Sequence, residues 1–378
     1  MERTVLYERR QEQLAVHLEE KGFHSALISH PSNLYYYTGF TGGEAVFIMH
    51  LSNRSGYIIT DSRYYEQVEK ECPNLTLIRL QDKGYCEIIS ELFKQLHKEE
   101  SSNGEVELDR TGDIPIAIED DFHLSWYLKL MEMCDGYKLI LSADIINECR
   151  MVKDSEELEK IAKAEAIGDA AFTHILPMIK PGMTEADIAL ELEFFMKKQG
   201  ASKLSFDTIV ASGPNSSMPH AQVTNRVIQC GDFVTMDFGC VYQGYCSDMT
   251  RTIAIGKPSE EMKKVYQIVL DANLRAMEGI REGVACNEID ALAREYIKVK
   301  GYGSYFGHGL GHSVGLEIHE EPRFSPKCKT IIKENMVITD EPGIYLPGQF
   351  GVRIEDLIVV KKDGYEKLSN SEKELIIL

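Results

Sequence analysis

Four carboxylates in this sequence interrupt runs that otherwise read as buried strands. In Phe233-Val234-Thr235-Met236-Asp237-Phe238-Gly239 an aspartate sits inside an apolar stretch. Aspartate is depleted in strands, and a buried carboxylate needs a compensating partner. Tyr242-Gln243-Gly244 supplies a turn, and Ser247-Asp248-Met249-Thr250-Arg251-Thr252 returns as a second strand. Asp237 and Asp248 are therefore expected to face each other across a hairpin. The device recurs where Met336-Val337-Ile338-Thr339-Asp340-Glu341-Pro342-Gly343 ends in acids before a turn. Gly351-Val352-Arg353-Ile354-Glu355-Asp356-Leu357-Ile358-Val359-Val360 returns, with Glu355 on the face of Arg353 and Leu357. An Asp248–Arg251 ion pair beside one hydrogen-bonded aspartate is the alternative for the first hairpin. For the second it is an Arg353–Glu355 surface pair, which would contribute little. The apolar residues Ile354 and Leu357 to Val360 argue against a solvated surface there.

Histidines join the acids. The stretch from Phe306 to Pro322 holds His308, His312 and His319, three of the eleven in the chain. His308 and His312 have the spacing of a helical zinc motif, but no glutamate follows His308. Glycines at 307, 309, 311 and 315 rule out a stable helix. A glycine-rich loop that brings imidazoles and backbone close to a bound group is the expectation.

The elements that must position these residues form a C-terminal unit with an internal repeat. Ile179-Lys180-Pro181-Gly182-Met183 is echoed by Ile280-Arg281-Glu282-Gly283-Val284, an offset of 101 (280 − 179). At that offset Ile188 meets Ile289, Phe195 meets Tyr296, and Gly200 meets Gly301. Each copy reads as a turn, an amphipathic helix, a glycine stop and a strand, so a duplicated α/β half with a cleft between the copies is expected. Asp154-Ser155-Glu156-Glu157 has the capping-box pattern and opens a helix to about Met178.

Upstream, Glu2 to Lys21 reads as an amphipathic helix with Leu6, Leu14 and Leu18 on one face and Gly22 as its stop. Short strands follow at Ala26–Ile28, Ala45–Met49 and Tyr57–Ile59, and Asp61 is placed to cap a helix opening at Ser62. This alternation predicts a small α/β domain. The linker is expected between Ile145 and Lys153, giving domains 1–148 and 149–378.

A chain of 378 residues fits two such domains. Its net charge of −19 argues against a nucleic-acid surface. No apolar run approaches the roughly 18 residues of a membrane helix, and no signal peptide is visible at Met1-Glu2-Arg3-Thr4. Nine scattered cysteines without zinc-type pairing read as reduced thiols of a cytoplasmic protein. Cys240 and Cys246 lie near the acids in sequence but are given no redox role.

The set Asp237, Asp248, His312, Glu341 and Glu355 resembles the five-ligand signature of the pita-bread metallopeptidases. That family includes methionine aminopeptidases, aminopeptidase P and the Xaa-Pro dipeptidases. Asn33-Leu34-Tyr35-Tyr36-Tyr37-Thr38-Gly39-Phe40 and Thr60-Asp61-Ser62-Arg63-Tyr64 are similar to motifs of its proline-specific branch. The resemblance implies an α/β (α+β) architecture, with a small N-terminal domain before a pseudo-symmetric pita-bread catalytic domain. It implies two divalent ions, Mn²⁺ first, with Co²⁺ or Zn²⁺ as alternatives. Four carboxylates and two such ions neutralise one another, and oxygen-rich ligation with one imidazole suits a first-row ion. By similarity Asp248 and Glu355 bridge the ions, Asp237 holds one, and His312 and Glu341 hold the other. The nucleophile is then a water activated by the ions, with Glu341 as proton acceptor. His220 and His319 match imidazoles that orient substrate and stabilise the tetrahedral intermediate. His308, Tyr345 and Arg353 match positions on the proline side, with Arg353 alternatively bracing Glu355. The implied substrates are small peptides with proline second, cleaved by a dipeptidase or, for longer peptides, an aminopeptidase P. A metal-free relative used for binding or non-peptide hydrolysis is the remaining reading. A cytoplasmic homodimer is implied, with no nucleic-acid or membrane partner.

Overall fold

A computed structural model of the chain describes residues 2–103 and 113–378. It contains two compact units, one ending at Arg150 and the other beginning at Met151.

The first unit is built on a six-stranded mixed sheet. Its order is Thr76–Arg79, Ser55–Thr60, Val46–His50, Ser25–Ile28, Ile114–Ile118, Tyr137–Leu141. Ser25–Ile28 pairs antiparallel with Val46–His50 and parallel with Ile114–Ile118. These three strands are buried along their whole length, which explains their continuous apolar runs. The tyrosine-rich motif lies on the helix Pro31–Thr38 and is structural. Tyr36 and Tyr37 donate from their hydroxyls to the carbonyls of Cys149 and Ile146. The Asn33 amide donates to the buried Glu119 and its oxygen accepts from Arg150. One expectation fails here. Asp61 caps no helix: it accepts from the Arg63 amide and guanidinium, and the helix starts at Tyr65. The two units divide at Arg150 and Met151, inside the stretch read as linker, although that stretch is largely the helix Ala143–Met151, with Ile145, Ile146 and Arg150 buried.

The second unit opens as expected. Asp154 accepts from the amides of Glu156 and Glu157, and the Glu157 side chain accepts from the Asp154 amide, over the helix Ser155–Ile175. A three-stranded antiparallel sheet of Ile209–Ser212, Phe233–Phe238 and Met249–Ala254 follows, with the helix Glu185–Lys198. The helices Glu260–Gly279 and Cys286–Val299 then accompany a five-stranded sheet. Its order is Glu320–Phe324, Gly311–Ser313, Val337–Asp340, Asp356–Lys361, Gly364–Lys367. Each half has its own apolar core, one around Phe172, Leu192 and Met236, the other around Val269, Ile289 and Ile358.

The repeat is real at the level of backbone bonds. In one copy Gly182 N–H donates to Ile228 and Ile228 N–H to Met183. In the other Gly283 donates to Ile332 and Ile332 to Val284.

Candidate active site

Each half delivers two acids by the same device: a strand that ends at the first and a backbone break at the second. Asp237 lies near the end of Phe233–Phe238, directly opposite Thr250. Asp248 does not face it across a simple hairpin. Cys240–Tyr242 and Tyr245–Cys246 form a small ladder of their own, and Asp248 sits between that ladder and the returning strand Met249–Ala254. Gly239 makes the corner, since a Cβ there would lie 2.0 Å from the Ser247 carbonyl oxygen.

In the second half Glu341 directly follows Val337–Asp340. Gly343–Leu346 and Phe350–Arg353 pair as a separate hairpin, and Asp356–Lys361 pairs back to Val337–Asp340. The strand expected from Gly351 to Val360 is thus two strands, broken at Ile354 and Glu355. The break has a cause: the Glu355 amide donates to the Thr250 carbonyl of the other half (3.1 Å), and the Thr250 hydroxyl donates to the Glu355 carboxylate (2.7 Å). Arg353 is tied to Thr252 through its backbone: the amide donates to the Thr252 hydroxyl, and that hydroxyl donates to the Arg353 carbonyl. These bonds stitch the halves together and bring all four acids to one place.

His312 completes the cluster from the strand Gly311–Ser313. Its amide donates to Thr339 Oγ1, and Nδ1 donates to the Ser313 carbonyl, which leaves the Nε2 lone pair for the site. Nε2 lies 3.4 Å from Asp248 and 3.6 Å from Glu341. Gly311 is required because a Cβ would fall 1.9 Å from the Thr339 carbonyl oxygen. The helical-zinc spacing of His308 and His312 is coincidental, as the residues between them form loop and strand.

The ion pairs weighed against a metal site are absent among the described residues. Arg251 donates to Asp356, and Arg353 donates to Asp237 rather than Glu355. Burial, followed by the charges of Asp237 and Glu341, pushes the Asp248 carboxyl well above its usual range. Burial and then Asp248 do the same to Glu355, and burial raises Glu341. Asp237 Oδ1 and Glu355 Oε1 are buried without a hydrogen-bond partner. One donor atom each from Asp248, His312 and Glu355 lies within 4.8 Å of the others. Crowded, desolvated acids with unused lone pairs and a lone imidazole nitrogen fit divalent cations, which supply the missing positive charge.

The cluster floors a cavity of about 1000 Å³ that His220, His308, His319 and Arg353 also line. His319 stacks edge-on against His312 with ring centroids 4.5 Å apart. Partial burial, with Arg323 and the neighbouring imidazoles, lowers its pKa to about 4. Tyr345 does not line the cavity. It stands behind, donating to His308 Nε2 and accepting from Arg353 Nη1. Burial pushes the Tyr345 hydroxyl up to about 12 and, with the nearby Arg353 charge, the His308 imidazole down to about 4. His308 is therefore neutral near pH 7, with Nδ1 donating to the Gly309 carbonyl. Arg353 spends most of its guanidinium on the protein: Nε on Thr250, Nη1 on Pro219 and Tyr345, Nη2 on Asp237. Burial alone would lower its pKa, yet Tyr345 and the acids raise it.

Sequence reasoning missed the residues that hold the ligands in place. Thr250 and Thr339 carry no signal, being ordinary strand residues. Glu165 did carry one, a carboxylate on the apolar face of a helix beside Ile161 and Ala164. It is fully buried, accepts from the Asp248 amide (3.3 Å) and the Ser369 hydroxyl (2.6 Å), and burial lifts its pKa to about 8. Phe206, Ile318 and Arg323 on the cavity wall were also missed.

A two-unit fold with a carboxylate–imidazole cluster between duplicated halves defines a metal-dependent hydrolase. Residues 159–362 match metallopeptidase family M24, and residues 10–152 match the creatinase/prolidase N-terminal domain. The chain is 37% identical to an Xaa-Pro dipeptidase of Pyrococcus furiosus, over 97% of this chain and 99% of the relative. It superimposes on an Xaa-Pro dipeptidase from Bacillus anthracis with a TM-score of 0.91 at 40% identity, covering 98% and 100% of the two chains. An X-Pro aminopeptidase from Thermotoga maritima matches with a TM-score of 0.83 at 37% identity, over 94% and 98%. The chain belongs to metallopeptidase family M24 and is a peptidase with the pita-bread fold of its proline-specific branch. Among the described residues no helix is long and apolar enough to cross a membrane.

Proposed function

We propose that the chain is an Xaa-Pro dipeptidase that hydrolyses the bond between an N-terminal residue and proline, with two divalent ions, Mn²⁺ foremost. The observation that carries this is the convergence of Asp237, Asp248, Glu341 and Glu355 with His312 on one cavity. The relatives named Xaa-Pro dipeptidase at 37% and 40% identity support the substrate class. Asp237, Asp248 and Glu355 would hold one ion, and Asp248, Glu355, His312 and Glu341 the other. Ions bound there lower the pKa of water and polarise the scissile carbonyl. Glu341 takes the proton from the attacking water, a role open to a carboxylate on the cavity wall. His319 and His220 donate hydrogen bonds to the amide oxygen as it gains charge. Tyr345 orients His308, whose imidazole bounds the proline side. Free thiols at all nine cysteines support a reducing, cytoplasmic location, and the family resemblance supports a homodimer, to be checked by analytical ultracentrifugation.

Kinetics on Xaa-Pro beside Xaa-Pro-Yaa, each with defined metals, tests the substrate. The dipeptide is expected to have the higher kcat/KM. A preference for the tripeptide would assign the aminopeptidase P activity, which the Thermotoga maritima structure makes the second reading.

Two variants separate chemistry from support. His319→Ala is expected to lower kcat by about 10²-fold with little change in KM. A variant with full kcat would remove His319 from the mechanism. Arg353→Lys keeps the charge but loses the planar fork that reaches Asp237, Thr250, Pro219 and Tyr345 at once. Dipeptide and tripeptide turnover are expected to fall together, with metal content reduced. Intact metal with selective dipeptide loss would instead place Arg353 on the free proline carboxylate.

A further inference from the structure

The two copies of the repeat share a backbone frame around the start of their second helices. In the first copy Glu185 N–H donates to the Arg226 carbonyl (3.1 Å) and Ala186 N–H to Thr224 (3.2 Å). In the second, Cys286 N–H donates to Thr330 (2.9 Å) and Asn287 N–H to Cys328 (2.9 Å). Cys286 thus stands where Glu185 does (286 − 185 = 101), and Cys328 where Thr224 does (328 − 224 = 104). The frame aims these two side chains at each other. In the first copy the Thr224 hydroxyl and amide both donate to the Glu185 carboxylate, at 2.5 and 3.1 Å. In the second those positions hold Cys286 and Cys328, packed on the same apolar core. Where one copy has an acid and a hydroxyl, the other has two sulfurs.

We infer that Cys286 and Cys328 are a peroxide-sensitive dithiol, a modification site separate from the metal cluster. Cys286 is fully buried as the first residue of the helix Cys286–Val299, whereas Cys328 is partly open to solvent. That makes Cys328 the attacking sulfur and Cys286 the resolving one. Burial works against the Cys328 thiolate, but hydrogen bonds from Thr330, Arg323 and Cys286 outweigh it and lower its pKa. Burial and the Cys328 charge raise that of Cys286, and the second cause disappears once Cys328 is oxidised.

The Cys328 thiolate attacks one oxygen of hydrogen peroxide. The O–O bond breaks, the departing hydroxide is protonated to water, and the sulfur, oxidised by two electrons, becomes a sulfenic acid. The Cys286 sulfur then attacks that sulfur, the S–O bond breaks, and the Cys286 proton leaves with the hydroxyl as a second water. Two thiols and one peroxide yield one disulfide and two waters. The disulfide joins the helix start to the segment just after Arg323 and Ser325, which line the active-site cavity. Closing it alters KM while the metal ligands stay untouched.

The test treats the metal-loaded protein with stepwise hydrogen peroxide, then blocks free thiols and maps peptides. The expected result is a linked Cys286–Cys328 peptide and a fall of two in the nine titratable thiols, before the exposed Cys230 reacts. Cys286→Ser should accumulate a dimedone-trapped sulfenic acid on Cys328, and Cys328→Ser should leave Cys286 reduced. Oxidation of Cys230 ahead of Cys328, or no linked peptide in the wild type, overturns the inference. Peptidase KM in the oxidised protein should shift and return with dithiothreitol at unchanged metal content. Identical kinetics with the disulfide closed overturns the coupling to the cavity. The thiol readouts do not depend on the peptide substrate, so a failure of the dipeptidase reading is told apart.

Discussion

Chelation of the metal-loaded protein is expected to abolish turnover, and Mn²⁺ or Co²⁺ to restore it. The acids converge on the cavity while Arg353 is committed to Asp237, Thr250, Pro219 and Tyr345, and His308 is held neutral, so the charge that polarises a scissile carbonyl there is left to the ions. Full turnover by a verified metal-free preparation would sink the two-ion mechanism. Removal should also loosen the fold, because Asp248, Glu341 and Glu355 are then left buried against one another. The pH dependence has a definite sign. Each of these carboxyls has a folded pKa raised above the ordinary carboxylate value of about 4. Between that value and the raised one the folded metal-free protein binds more protons than the unfolded chain. Its stability is therefore highest at low pH and falls as pH rises through the raised values. Bound cations remove the cause, so the Tm gap between loaded and metal-free protein should widen from about pH 4 towards neutrality. Calorimetry of both forms across that range checks this. A gap that is constant with pH would mean that the acids do not crowd as the structure places them.

Asp248→Asn is expected to lose both ions together and to lower kcat/KM by far more than 10-fold to 100-fold. That smaller range is typical of losing an outer hydrogen-bond partner of a ligand. Asp248 lies 3.4 Å from His312; the charges of Asp237 and Glu341 raise its pKa, and its own charge raises that of Glu355. An amide there keeps the shape but lacks the negative charge and the second acceptor oxygen with which the carboxylate would hold the proposed ions. Asp154→Asn, at the cap of Ser155–Ile175, is the control. It should cost at most about 1 kcal/mol of stability and leave the metal content unchanged. Equal metal loss in both variants, measured by atomic emission, would show that the site is misplaced.

Much of this protein was legible in its residues, because burying a charge is costly and leaves a mark. Acids inside apolar strands, at Asp237 and Glu355, announce a partner before any coordinates are known. Gly-rich spacing around His312 announces close approach of backbone, and the Thr339 carbonyl beneath Gly311 is that approach. The duplication also shows in the chain, since each half must make the same turn, helix and strand to bury its own core. The capping box at Asp154 is a local interaction and needs no tertiary context.

What tertiary structure alone decided is how the pieces meet. Two strands that read as continuous are broken at Asp248 and Glu355. The break at Glu355 follows from hydrogen bonds to Thr250 of the other half, roughly a hundred positions away, and that at Asp248 accompanies a bond to Glu165, some eighty away; local pattern carries no trace of either. The partners of Arg251 and Arg353 were open to local alternatives for the same reason. Sequence offers the nearest acid, whereas the fold offers Asp356 to one and Asp237 to the other. The facing of Cys286 and Cys328 was likewise invisible, because a side chain's direction is set by a backbone frame that two distant segments make together.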